Sequence, residues 1–168
     1  PETFSLIPAR EELDVSVLER LYEFPLASSE DAEFTVNPTR ELDETKHRDY
    51  IIDQETKYRF AKGKCVHPLH FDPEIVDKYV DEELLESESD HYDQSRVVWR
   101  DIARPSLRRR MFVTVVPPNC GIGNSLNYVV PDQTEQQKRY IAAVMQSWVF
   151  EYRARQISTN SHINMYVV

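Results

Sequence analysis

Six arginines are threaded through the two most strand-like segments of this chain and the turn between them. They are Arg96, Arg100, Arg104, Arg108, Arg109 and Arg110, and Asp101 is the one acid among them. Residues 96–102 and 109–116 are rich in Val, Phe, Thr and Trp, which suit a pleated surface, and 103–107, with Pro105, reads as the turn. Successive side chains of a strand point to opposite faces, so such a hairpin cannot put all of its cations on one side. The arginines of the turn, Arg104 and Arg108, are the freest to reach a partner.

The cations follow an acidic stretch. Residues 72–93 carry ten Asp/Glu and one Lys. Divided at residue 93, the first part has a net charge of −15 and the second of +6, so the total of −9 describes neither. The total argues against a generic nucleic-acid binder, whereas the asymmetry points to a partner for the basic part. A solvated acidic face beside a basic one, joined by internal ion pairs, accounts for the same pattern. With 168 residues and 40% hydrophobic content, the chain suffices for one domain with a core of its own.

The periodicities predict a single α+β domain over 1–168 with mostly antiparallel pairing. Helices are expected at 9–22, on the stripe Leu13, Val17, Leu18 and Leu21, and at 73–86, on Ile75, Val76, Tyr79, Val80 and Leu84. A long C-terminal helix is expected at 134–157, bent near Ser147, with Tyr140, Ile141, Val144, Met145, Trp148, Val149 and Tyr152 on its buried side. Besides the hairpin, strands are expected at 4–7, 33–36 and 125–130. Residues 58–60 and 65–66 should pair around Lys62-Gly63-Lys64, and a terminal strand should span 163–168.

Few motifs suggest chemistry. Cys65, His67 and His70, with Cys120 as a fourth ligand, could hold a tetrahedral metal. Zinc sites usually show paired short spacings, though, and Pro68 sits between the histidines, so a semi-buried cysteine with two surface or hydrogen-bonding histidines is the favoured reading. Gly121-x-Gly123 is too short for a dinucleotide fingerprint and reads as turn chemistry with positive φ. The chain has only three glycines, and no P-loop, G-x-S-x-G or H-E-x-x-H motif occurs in it. Two cysteines make no disulfide framework and fit a reducing cytoplasm, and no stretch approaches 18 apolar residues. A chain that opens on Pro1 is expected to be part of a longer protein.

Four ordered segments resemble the target-recognition part of large adenine-N6 DNA methyltransferases of restriction–modification and phage-defence systems. Tyr58-Arg-Phe-Ala-Lys-Gly-Lys-Cys-Val-His67 is similar to their aromatic–x–x–Gly–Lys–x–hydrophobic–His segment. Trp99-Arg-Asp-Ile-Ala-Arg104, followed by Arg109 to Pro118, resembles an Arg-Asp-Ile-Ala-Arg segment with its strand and Pro-Pro. Asn124-Ser-Leu-Asn-Tyr128 resembles the next strand. Residues 147–156 and His162-Ile-Asn-Met-Tyr166 resemble the closing helix and strand, and 40–44 is a looser likeness.

The resemblance implies a mixed recognition fold, with a mostly antiparallel curved sheet and flanking helices, that selects a site in double-stranded DNA. A catalytic domain of the same longer chain would bind S-adenosylmethionine and methylate an adenine flipped from the duplex. The Asn-Pro-Pro-aromatic motif of that catalytic domain is missing here, since Asn119 follows Pro117 and Pro118. The chain is therefore expected to be non-catalytic alone and to hold no cofactor or metal. By position, the implied DNA-contacting residues are Lys62, Lys64, His67, Arg100, Arg104, Arg108, Arg109 and Arg110, with Lys64, Arg104 and Arg108 mainly on phosphates. Arg100 and Asp101 could instead form an architectural pair, and His162 and Asn164 are expected to hydrogen-bond at a strand end. The acidic helix expected after Asp72 must face away from DNA or toward another domain. The alternative is a protein-interaction domain of a defence assembly, with both charged surfaces meeting complementary partners.

Overall fold

A computed structural model of the chain describes residues 11–24 and 35–165. Helix α1 (Glu12–Tyr22) comes first. Strands β1 (Pro38–Thr39), β2 (Ile51–Ile52), β3 (Arg59–Ala61), β4 (Val66–His67), β5 (His70–Phe71) and β6 (Tyr79–Val80) follow. Then come α2 (Glu82–Glu88), β7 (Arg96–Arg100), β8 (Val113–Val116), β9 (Cys120–Ile122), β10 (Leu126–Val129), α3 (Glu135–Met145) and α4 (Trp148–Ile157). The class is α+β. A central antiparallel sheet runs β1-β10-β7-β8, and a second sheet runs β2-β6-β3-β9, with β3 and β9 parallel.

Strand alternation sorts the core into layers. Val97, Trp99, Val113 and Val129 face Ile141, Ala142 and Met145 of α3 and Ala154 of α4. The alternate residues Val98, Val116, Leu126 and Tyr128 face Ala61, Cys120 and Ile122 of the second sheet. Across that sheet, Phe60 and Val80 pack on Leu84 and Leu85 of α2. The order is helices, sheet, sheet, helix. The acidic helix therefore lies with the outermost layer, separated by both sheets from α3 and α4.

Several expectations give way to tertiary structure. The helix expected at 73–86 is a single 3-10 turn at Pro73–Ile75, then β6, then α2. Tyr79 and Val80 suit a strand and pair with β2 and β3, and Asp81 starts α2 by accepting from the Glu83 N–H. Strand 58–60 does not pair with 65–66: a 3-10 turn at Gly63–Cys65 leads the chain away, and β4 pairs with β5. The C-terminal helix breaks at Ser147, whose Oγ accepts from the Phe150 N–H and caps α4. The break leaves Tyr140, Val144, Trp148 and Val149 exposed. On α1 only Leu18 is buried, and Leu13 is exposed. The expected hairpin strands end at Arg100 and begin at Val113. The expected strand at 4–7, and half of each of those at 33–36 and 163–168, lie outside the described residues. Val36 is buried but not in a strand, and His162 forms one bridge with Ile102.

No described glycine has positive φ; Asn119 (62°) and Leu69 (56°) do. Gly121 instead lies within β9, where a Cβ would stand 2.8 Å from Val80 Cγ2 and 2.9 Å from Leu42 Cδ1. Gly121→Ala should therefore cost about 1–3 kcal/mol by overpacking, measured by urea unfolding. Leu69 sits in the two-residue turn after Pro68. Leu69→Gly should raise stability in the same assay by about 0.5–1 kcal/mol, the relief of left-handed strain less glycine's entropy.

Candidate nucleic-acid interface

The β7–β8 connection, residues 101–112, carries most of the predicted cations, and three side chains fix its course, two of them buried. Glu151 of α4, 2% exposed, accepts from the backbone N–H of Arg110 (3.0 and 2.9 Å) and of Met111 (2.9 Å). One helical turn on, Arg155 Nε bonds Glu151 Oε1 at 2.7 Å and its guanidinium donates to the carbonyls of Pro105 (3.1 Å) and Leu107 (2.6 Å). Arg110 is itself buried. Its guanidinium donates to Ala103 O at 3.1 Å, Ser158 Oγ at 3.3 Å, and the carbonyls of Ser158 and Asn160. Burial and then Arg155 pull its pKa down, while Glu151 opposes them.

Asp101 anchors the first leg of the loop. Its buried carboxylate accepts from Arg40 Nη2 (2.9 Å), Asn127 Nδ2 (3.2 Å) and, with Nδ1 protonated, His162 (2.8 Å). Backbone bonds Ala103 N to Ser161 O (2.8 Å) and Ile163 N to Asp101 O (2.6 Å) tie the same leg to the C-terminal segment. Arg100 does not pair with Asp101. Its Nε donates to Val66 O at 2.8 Å, its guanidinium lies 4.3 Å over the Phe112 ring, and desolvation lowers its pKa.

The predicted site residues thus separate by availability. Arg104 and Arg108 are exposed, with no side-chain hydrogen bond or ion pair among the described residues. Arg109 is half-buried, bonded to the Gln146 carbonyl and stacked 4.2 Å over Trp148. Lys62 pairs with Glu44, and Lys64 with Asp77 at 2.5 Å. Such partly exposed pairs contribute little and exchange readily for a phosphate. His67 stacks on His70, ring centroids 6.2 Å apart. Arg110 offers no surface to a ligand, and Arg100 offers part of one. Sequence reasoning missed Glu151 and Arg155, although their i, i+4 spacing on a helix facing an arginine-rich loop was visible.

The Cys65 thiol is buried, away from the exposed His70, and burial raises its pKa. Burial likewise pushes Cys120 up to about 11. Among the described residues no group of three or more His, Cys, Asp or Glu is placed to hold a metal, and no helix is long and apolar enough to cross a membrane. No protein-family model matches the chain, and no curated protein matches it.

Glu151→Gln should cost on the order of 2–4 kcal/mol, because Arg110 and Arg155 lose their carboxylate and amide N–H groups compete for one oxygen. Urea unfolding measures the loss, and hydrogen exchange should show faster amides at Arg110 and Met111.

Proposed function

We propose that this chain is a duplex-DNA recognition domain. It would select or position the site of an S-adenosylmethionine-dependent adenine-N6 methyltransferase of a restriction–modification or phage-defence system, acting in the cytoplasm. The catalytic domain would be a separate unit of the same longer polypeptide, and this domain would carry no catalytic step. One observation carries the reading. Arg104 and Arg108 are exposed, and unpaired among the described residues, on a loop whose backbone is held by Glu151 and Arg155. Guanidinium groups suit phosphate and guanine recognition, and a pre-formed loop loses less conformational freedom on binding. Two further points support it: the ordered resemblance over residues 58–166, and the placement of α2 with the outermost core cluster, so that its carboxylates do not oppose the loop. Arg109, Lys62, Lys64 and His67 are secondary contacts in this reading.

The exposed Tyr140, Val144, Trp148 and Val149 favour a second reading, a protein-interaction domain in a defence assembly. The two separate in one experiment. Fluorescence anisotropy of a labelled mixed-sequence duplex should show binding that falls steeply with salt. The double variant Arg104→Glu/Arg108→Glu should weaken binding and flatten the log–log salt slope by about 2, one phosphate contact for each arginine lost. Unchanged binding and slope would leave the protein-interaction reading.

A further inference from the structure

The tip of the β4–β5 hairpin holds a leucine that the fold does not need. Leu69 has φ 56°, a conformation that favours glycine, and its side chain is 58% exposed. Among the described residues its hydrogen bond is from the backbone: the Leu69 N–H donates to Val113 O at 2.8 Å, which glycine would do equally. Neither burial nor hydrogen bonding accounts for the isobutyl group, and strain retained without a packing benefit is characteristic of functional sites. Pro68 places a second apolar group beside it on a rigid turn. The stacked rings of His67 and His70 form the hairpin's last cross-strand pair.

The position of this tip is also specific. Val113 opens β8 directly after the cationic loop, and its N–H is held by Gln146 Oε1 at 3.0 Å. The Gln146 carbonyl in turn accepts from Arg109, which stacks on Trp148. The leucine tip and the arginine loop are therefore anchored at the same strand end.

We propose that Pro68 and Leu69 form an apolar wedge that enters a base step of duplex DNA while Arg104 and Arg108 hold the flanking phosphates. The proposal rests on the DNA-recognition reading above. Leu and Pro are among the side chains that unstack base steps in this way, and an opened step makes removal of a base from the helix easier. Insertion would bury the side chain that water now surrounds. The same substitution that should stabilise the fold, Leu69→Gly, should then abolish this action, a separation that a purely structural role would not produce.

The test uses permanganate, which attacks unstacked thymines, on a supercoiled plasmid incubated with the full chain. The wild-type protein should create protein-dependent reactive thymines. Leu69→Gly should still retain the plasmid in a salt-sensitive manner but lose the reactivity, and Leu69→Met should restore it. If Leu69→Gly binds and leaves the reactivity unchanged, or if the wild type binds without creating any, the wedge is wrong and the recognition reading stands. Failure of the wild type to retain DNA at low salt would overturn both.

Discussion

Glu41 and Arg96 form an ion pair with both side chains fully buried, and the two sheets are joined through it. Arg96 lies on β7 of the central sheet and also donates to the Cys120 carbonyl on β9 of the second. Glu41 accepts from the Ile122 N–H on β9 and from Ser89, the residue that ends α2. Tyr128 adds its ring 5.3 Å from the guanidinium. Breaking one partner of such a pair strands a charge in the interior, at a cost of about 3–5 kcal/mol. The contact therefore specifies how the layers are stacked, and so where the arginine loop lies relative to the acidic helix.

The arginine run does three different jobs. Arg96 and Arg110 are interior hydrogen-bond donors. Arg100 and Arg109 are half-buried, each with its guanidinium over an aromatic ring. Only Arg104 and Arg108 stand clear, on backbone that Arg155 holds between them and Glu151 holds just beyond. Charge counting overstates the surface potential here, and the buried guanidiniums shape the loop that presents the free ones.

The class of fold, the β7–β8 hairpin, its neighbour β10 and the break at Ser147 were legible, because alternation, propensity and a capping serine are local signals. The partners of the short strands were not. Residues 58–60 are adjacent in sequence to 65–66, yet β3 is held by β6 and by a parallel contact to β9, some 60 residues distant. The 73–86 segment has a helical stripe and strand-forming residues together, and pairing with β2 and β3 decides between them. At the site, the tip position of Arg104 and Arg108 followed from the turn, whereas the burial of Arg110 depended on Ser158 and Asn160 far along the chain. Leu69 carried no signal, since an exposed leucine becomes unusual only when its φ is known.

β8 is the outer strand of the central sheet, and such a strand offers its spare amides and carbonyls to any other chain that can extend along it. At Val113 both outward groups are already engaged, the N–H by Gln146 and the carbonyl by Leu69. A foreign strand is therefore denied the register that begins at Val113. The hairpin that carries an exposed leucine thus also shields the start of this edge from the strand addition by which sheets usually aggregate.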